Sequence, residues 1–136
     1  ARNRKREDME ARVKIIAENQ PALVLSIHQN SFSEESCKGA QVFYYKGAEE
    51  SKMLAESVQR AFPELLQDGN KRQAKADTTY YLLRKTACPI VIAECGFLSN
   101  TEEEALLTTE LYQEKIAEAL YLGLTRYLEE KQDSQV

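Results

Sequence analysis

The hydrophobic positions of this chain form two kinds of pattern, which alternate along the sequence. Residues 22–27 and 89–93 are apolar almost without interruption and rich in branched side chains. Runs of this kind are typical of strands buried on both faces, as in a parallel sheet covered by helices. Elsewhere, apolar residues recur every three or four positions, which is the spacing of one helix face. This second pattern covers residues 4–19, 49–62 and 111–128.

The segments between these runs complete a prediction of alternating strands and helices. Residues 41–45 form a further strand candidate, and 80–83 fit a short helix or a strand equally well. Pro63 is expected to start a new segment, Asp68-Gly69-Asn70 is expected to form a turn, and residues 71–77 are polar. Such alternation predicts an α/β fold, a three-layer arrangement with a mostly parallel sheet and helices on both faces.

Polar residues predict where the helical C-terminal region begins and ends. Asn100 or Thr101 is expected to cap a helix, because three glutamates follow and suit its positive end. The polar tail, residues 129–136, is expected to fray.

Length, charge and hydropathy exclude several classes of protein. The 136 residues fit one domain, and the net charge of −4 argues against sequence-independent nucleic-acid binding. No apolar run is long enough for a transmembrane helix. The basic N-terminus has no apolar stretch behind it, so any secretion signal has been removed or lies upstream of Ala1.

Three cysteines, Cys37, Cys88 and Cys95, are widely spaced. An odd number at this spacing does not form a disulfide framework, and we expect buried or half-buried free thiols.

Two residues at predicted strand ends have the chemistry of a hydrolytic site. His28, the only histidine, follows the run 22–27, and Glu94 follows the run 89–93. If the two strands are parallel neighbours, both side chains lie at the same edge of the sheet. An imidazole can bind zinc there while a carboxylate acts as general base. The residues alone leave open a histidine that only donates hydrogen bonds and a glutamate in a plain turn.

Two motifs resemble a known family. Leu25-Ser26-Ile27-His28-Gln29-Asn30 and Glu94-Cys95-Gly96-Phe97-Leu98-Ser99-Asn100 are similar to the Ser-Ile-His-x-Asn and Glu-x-Gly-Phe-x-Ser-Asn motifs of the N-acetylmuramoyl-L-alanine amidases of the amidase 3 type. Intervening segments match in the expected order, and the resemblance covers roughly residues 5 to 128.

The resemblance implies a function and a role for each site residue. Enzymes of this family use Zn²⁺ to cut the amide between N-acetylmuramic acid and the L-alanine of the peptidoglycan stem peptide. His28 matches the last zinc ligand and Glu94 the catalytic glutamate. Asn30 and Arg72 are expected to contact the substrate, Arg72 through a stem-peptide carboxylate, although a turn asparagine and a solvated arginine are the plainer alternatives.

The chain also departs from the family pattern. The family's first histidine ligand and its glutamate ligand lie in segments that this chain does not contain, so two of the three zinc ligands lie outside it. Residues 1–136 are therefore expected to be the C-terminal part of a single catalytic domain, without its first strand or strands and inactive alone. The resemblance further implies action at the cell envelope, outside the cytoplasm, and a sporulation role by likeness to cortex-modifying amidases.

Two other functions remain open from the sequence. One is a binding module of the same fold, which recognises muropeptide or a protein partner. For either function, a protein activator or the missing N-terminal segment is a further expected partner. The other is a thiol hydrolase that uses Cys95. Neighbouring residues of a strand point to opposite faces, so Cys95 is expected to face away from a site that contains Glu94.

Overall fold

The computed structural model describes residues 2–134, which form a four-stranded sheet between two layers of helices. The elements in chain order are α1 (Arg2–Asn19), β1 (Val24–Asn30), β2 (Gln41–Tyr45), α2 (Glu49–Leu66), β3 (Lys75–Asp77), α3 (Tyr81–Lys85), β4 (Ile90–Phe97), α4 (Thr101–Leu107) and α5 (Glu110–Asp133).

The sheet has the strand order β1-β4-β2-β3. Strands β1 and β4 are parallel, β2 and β3 are parallel, and β2 is antiparallel to β4. The link between β1 and β2, residues 31–40, contains no helix, so the chain turns back and β2 runs opposite to β1. The predicted α/β class is thus confirmed, with a sheet that is mixed.

Strand β4 separates two hydrophobic cores. Val91, Ala93 and Cys95 face the larger core, formed with α2 and α5. Ile90 and Ile92 face the smaller core, formed with α1 and α3. All eight residues of β4 are buried, as its apolar run predicted. Strand β1 is only half-buried, with Ile27 57% exposed, because it lies at the edge of the described sheet.

Several element boundaries differ from the sequence prediction. Strands β1 and β4 continue to Asn30 and Phe97, so His28 and Glu94 lie inside their strands. Helix α2 runs through Pro63 to Leu66 and ends at Gln67, whose left-handed backbone caps it. A proline lacks only its own amide donor, and the Pro63 carbonyl still accepts a hydrogen bond from Gln67.

Other differences involve polar or ambiguous segments. Strand β3 lies in the polar region 71–77, where no strand was predicted. Its three residues pair only with β2, at a sheet edge, where alternating apolar residues are not needed. The ambiguous residues around Leu82 form helix α3. Asn100 caps α4 as predicted, since its side chain accepts a hydrogen bond from the Glu103 amide. Helix α5 extends to Asp133, into the tail expected to fray, of which residues 135–136 lie outside the described part.

The cysteines and the helices agree with two simpler expectations. Cys37 and Cys88 are half-buried, Cys95 is buried, and all three are free thiols. Within residues 2–134, no helix combines the length and the apolar character that crossing a membrane requires.

Candidate active site

His28 and Glu94 lie directly opposite each other on the parallel strands β1 and β4. Adjacent strands are roughly 4.8 Å apart, and residues in register share a face of the sheet. This face points toward α1 and α3. Val24 is four residues before His28 on β1 and therefore on the same face, and it packs into the smaller core. The structure thus places together the two residues singled out from the sequence.

Glu94 is a buried carboxylate with an unpaired oxygen. Its side chain is 6% exposed, and Oε2 has no hydrogen-bond partner among the described residues. Burial raises the pKa of Glu94, and the interaction of its carboxylate with the nearby Tyr80 hydroxyl lowers the pKa to a smaller extent. A buried carboxylate oxygen without a partner is costly. Glu94 therefore has an oxygen available for a further group that enters the site.

Tyr80 is a site residue that the sequence analysis did not identify. Its amide donates to Asp77 Oδ1 at 2.8 Å, and its ring lies 5.5 Å from the Phe43 ring in a tilted arrangement. These contacts hold its hydroxyl near Glu94. Burial first, and then the charge of Glu94, raise the pKa of the Tyr80 phenol. The local signal was the Asp-Thr-Thr-Tyr turn, but only the tertiary fold brings it beside β4.

The His28 ring is oriented by a hydrogen bond to Ser26, and its surroundings lower its pKa. Ser26, two residues earlier on the same face of β1, has its Oγ 2.8 Å from His28 Nε2. Burial, and secondarily the positive charge of Arg12, lower the pKa of His28. A neutral imidazole is the form that binds metal ions, and a hydrogen bond at one nitrogen orients the ring. Nδ1 is then the nitrogen that can take a further partner.

Cys95 lies on the opposite face of β4 from Glu94. The side chain is 1% exposed in the larger core, with Sγ 3.7 Å from the Ala93 carbonyl oxygen. Burial, with a smaller effect of Glu94, raises the pKa of Cys95 to about 12. The nucleophile of a thiol hydrolase is the thiolate, so this position and this pKa argue against that mechanism.

Asn30 and Arg72 both lie where β1 and β4 end. Asn30 accepts from Leu98 N through its backbone carbonyl and from Ser31 N through Oδ1, each at 2.8 Å. Arg72 donates two hydrogen bonds to the Lys38 carbonyl, at 3.0 and 3.1 Å, and its guanidinium stands 5.3 Å from the centre of the Phe97 ring. Since Phe97 pairs with Asn30, both residues are near the site. Their contact with substrate remains a prediction.

Residues 2–134 do not contain a complete set of metal ligands. A catalytic zinc usually has three protein ligands. Within residues 2–134, no cluster of three or more His, Cys, Asp or Glu side chains is arranged to hold a metal ion. The imidazole of His28 is a suitable type of zinc ligand, and any further ligands would have to come from outside these residues.

Comparison with known proteins identifies the family. The family model for N-acetylmuramoyl-L-alanine amidase matches residues 2–126. The chain is 38% identical over 130 residues to the germination-specific N-acetylmuramoyl-L-alanine amidase of Bacillus subtilis (strain 168), covering 96% of this chain and 54% of that protein.

Two solved structures have the same fold. The CwlD amidase from Clostridioides difficile, in complex with the GerS lipoprotein, superposes with a TM-score of 0.92 at 40% identity, covering 95% of this chain and 66% of that one. The catalytic domain of CwlV, an amidase from Bacillus (Paenibacillus) polymyxa var. colistinus, gives 0.79 at 29% identity, covering 89% and 65%.

The chain spans about half the length of the Bacillus subtilis relative. The family match nevertheless covers almost all of residues 2–134 and includes both motifs at His28 and Glu94. As the resemblance of those motifs predicted, the chain belongs to the N-acetylmuramoyl-L-alanine amidase family of the amidase 3 type.

Proposed function

We propose that the protein to which this chain belongs hydrolyses the amide between N-acetylmuramic acid and the L-alanine of the peptidoglycan stem. The observation that supports this best is the pair His28–Glu94: register partners on one face, with a buried, unpaired carboxylate oxygen. The family membership of the chain supports this reaction for the pair. In this proposal, residues 1–136 are the C-terminal part of one catalytic domain.

Zinc is part of the proposal. His28 would be one ligand, and the others would come from a segment outside the described residues. When bound, zinc would polarise the amide carbonyl and make a water molecule more acidic.

Glu94 is the proposed general base. A base is most effective when its pKa lies near the working pH, and burial moves the pKa of Glu94 upward in that direction. Its unpaired oxygen takes a proton from the attacking water, and the same carboxyl group then gives the proton to the departing amine of L-alanine. Ser26 orients the His28 ring during this reaction.

The test uses the full-length protein with purified peptidoglycan, and measures the release of new L-alanine amino groups. Glu94→Gln should lower kcat by about 10²- to 10⁴-fold, the usual size of a general-base contribution, and His28→Ala should be at least as damaging. Glu104→Gln, a change at an exposed carboxylate of α4, is the matched control and should be fully active. A Glu94→Gln protein with wild-type activity would refute the mechanism.

Substrate contacts are proposed at Asn30 and Arg72. The Arg72 guanidinium, fixed by the Lys38 carbonyl and the Phe97 ring, is suited to a carboxylate of the stem peptide. In the same assay, Arg72→Ala and Asn30→Ala should raise KM more than they lower kcat. A loss confined to kcat would argue against substrate contact.

A second candidate function is a binding module of the same fold. In this form the chain would recognise muropeptide or a protein partner without hydrolysis. The Clostridioides difficile relative is described in complex with a lipoprotein, so we propose that a protein partner also binds the full-length protein, and co-purification would test this.

The site of action follows from the substrate. Because peptidoglycan lies outside the cytoplasm, we propose that the protein acts at the cell envelope. The name of the Bacillus subtilis relative refers to germination, which supports a role in spores. Localisation of a tagged full-length protein during sporulation would test both points, and a purely cytoplasmic signal would contradict them.

A further inference from the structure

Glu103 is a buried carboxylate that lies outside the pair His28–Glu94. It occupies the first turn of α4, the position at which an acidic residue commonly stabilises its own helix. Its side chain does not stay at the helix surface: it is 6% exposed. The neighbouring Glu102 and Glu104 are exposed, as expected for helix-end charges.

The carboxylate of Glu103 accepts hydrogen bonds from two distant backbone amides. Phe97 N donates to Oε1 at 2.6 Å, and Gly39 N donates to Oε1 and Oε2 at 3.0 and 2.9 Å. Hydrogen bonds to a carboxylate are among the stronger ones in proteins. Glu103 therefore joins the end of β4 to the segment that leads into β2.

Both of these amides lie just beyond Glu94, toward the end of β4. Phe97 is three residues beyond Glu94 on β4, and Gly39 is two residues before Gln41, the residue opposite Glu94 on β2. The β1–β4 pairing shifts between His28 and Asn30, where two steps in β1 face three steps in β4. An irregularity of this kind leaves a strand amide unpaired and redirects nearby side chains. The Phe97 amide, at the end of this irregularity, is paired by Glu103.

Gly96 and Gly39 have the backbone that this contact requires. A Cβ added to Gly96 would lie 2.8 Å from Glu103 Oε1, so a larger residue there would collide with the carboxylate. Gly39 has φ of +101°, a conformation that glycine adopts without strain. Two separate glycines thus accommodate one buried side chain.

We infer that Glu103 is a positioning residue, which holds the end of β4 and the Gly39 segment so that Glu94 faces His28. It acts through the backbone that follows Glu94 on β4 and the backbone that leads into β2, and it does not touch the reacting groups. The inference rests on the proposed function, because it assigns to Glu103 a contribution to the same reaction.

The test compares Glu103→Gln with Glu104→Gln in the full-length protein. A glutamine would turn an amide donor toward Phe97 N or Gly39 N, so one of those hydrogen bonds is lost. We expect kcat to fall about 10- to 100-fold, the scale of a small misplacement of a catalytic group. KM and zinc content should stay within about twofold of wild type, and Glu104→Gln should match wild type throughout.

A second readout does not depend on catalysis. Hydrogen exchange should be faster in Glu103→Gln for the amide that loses its acceptor, Gly39 or Phe97, and both amides should be unchanged in Glu104→Gln. If Glu103→Gln does not fold, Gly96→Ala, which displaces the same carboxylate, is measured in its place with the same expectations.

The outcomes separate this inference from the proposed function. An unchanged kcat, or a loss confined to KM, zinc content or the folded fraction, would overturn positioning while an inactive Glu94→Gln protein would leave the proposed function standing. A fully active Glu94→Gln protein would overturn both.

Discussion

At the scale of single residues, the alternation along β4 assigns neighbouring side chains to different environments. Glu94 is on the face of the sheet toward α1 and α3, and Cys95 is on the opposite face, buried in the larger core. Burial raises the pKa of both. For Glu94 this is the direction expected of the proposed general base, whereas for Cys95 it keeps the thiol protonated and unreactive.

Replacement of Cys95 by alanine should leave the activity of the full-length protein within about twofold of wild type, because the side chain faces away from Glu94. The fold should lose about 1 kcal/mol, since a buried sulfur is removed from a packed core. Activity and thermal unfolding would be measured together, with the half-buried Cys88→Ala as comparison. Inactivity of a folded Cys95→Ala protein would revive the thiol mechanism.

At the scale of elements, α2 and α5 pack against each other and against the face of the sheet that lies opposite the pair His28–Glu94. The two helices approach closely at Gly123, where an added Cβ would lie 2.5 Å from Val58 Cα. Ser57 Oγ donates a hydrogen bond to the Gly123 carbonyl at 2.7 Å. The glycine in the middle of a long helix, which lowers helix propensity, is thus explained by packing that the sequence alone did not reveal.

Gly123→Ala should destabilise the protein by about 1–3 kcal/mol, the range for overpacked core positions, although alanine is the better helix former. The free energy of unfolding from urea denaturation would measure this. Glu118→Ala, an exposed change on the same helix, is the control and should have little effect. A stabilised Gly123→Ala protein would show that the helices can move apart without cost.

At the scale of the whole molecule, the fold brings β4 together with four other segments. Gln41 on β2 and His28 on β1 flank Glu94, and Tyr80 before α3 approaches its carboxylate. Glu103 on α4 ties β4 to the start of β2. The site is therefore assembled from residues far apart in sequence, and the proposed zinc would need further ligands from outside residues 2–134.

Metal analysis of the full-length protein tests this incomplete site. We expect about one zinc per chain, as in catalytic zinc sites, with a strong loss in His28→Ala. Glu94→Gln should retain the metal, because Glu94 is proposed as base and not as ligand. A metal-free wild-type protein would favour the binding module, and zinc that survives His28→Ala would remove His28 from the ligand set.

The sequence by itself determined the α/β class, the main helices and strands, the family and the pair His28–Glu94. These follow from local periodicity and from short motifs, which need no knowledge of distant contacts. It did not determine the direction of β2, the edge strand β3, the passage of α2 through Pro63 or the parts of Tyr80 and Glu103. Each of these depends on which segments meet in space. Tertiary packing alone fixes the partner of an edge strand, the burial of a carboxylate and the backbone amides that donate to that carboxylate.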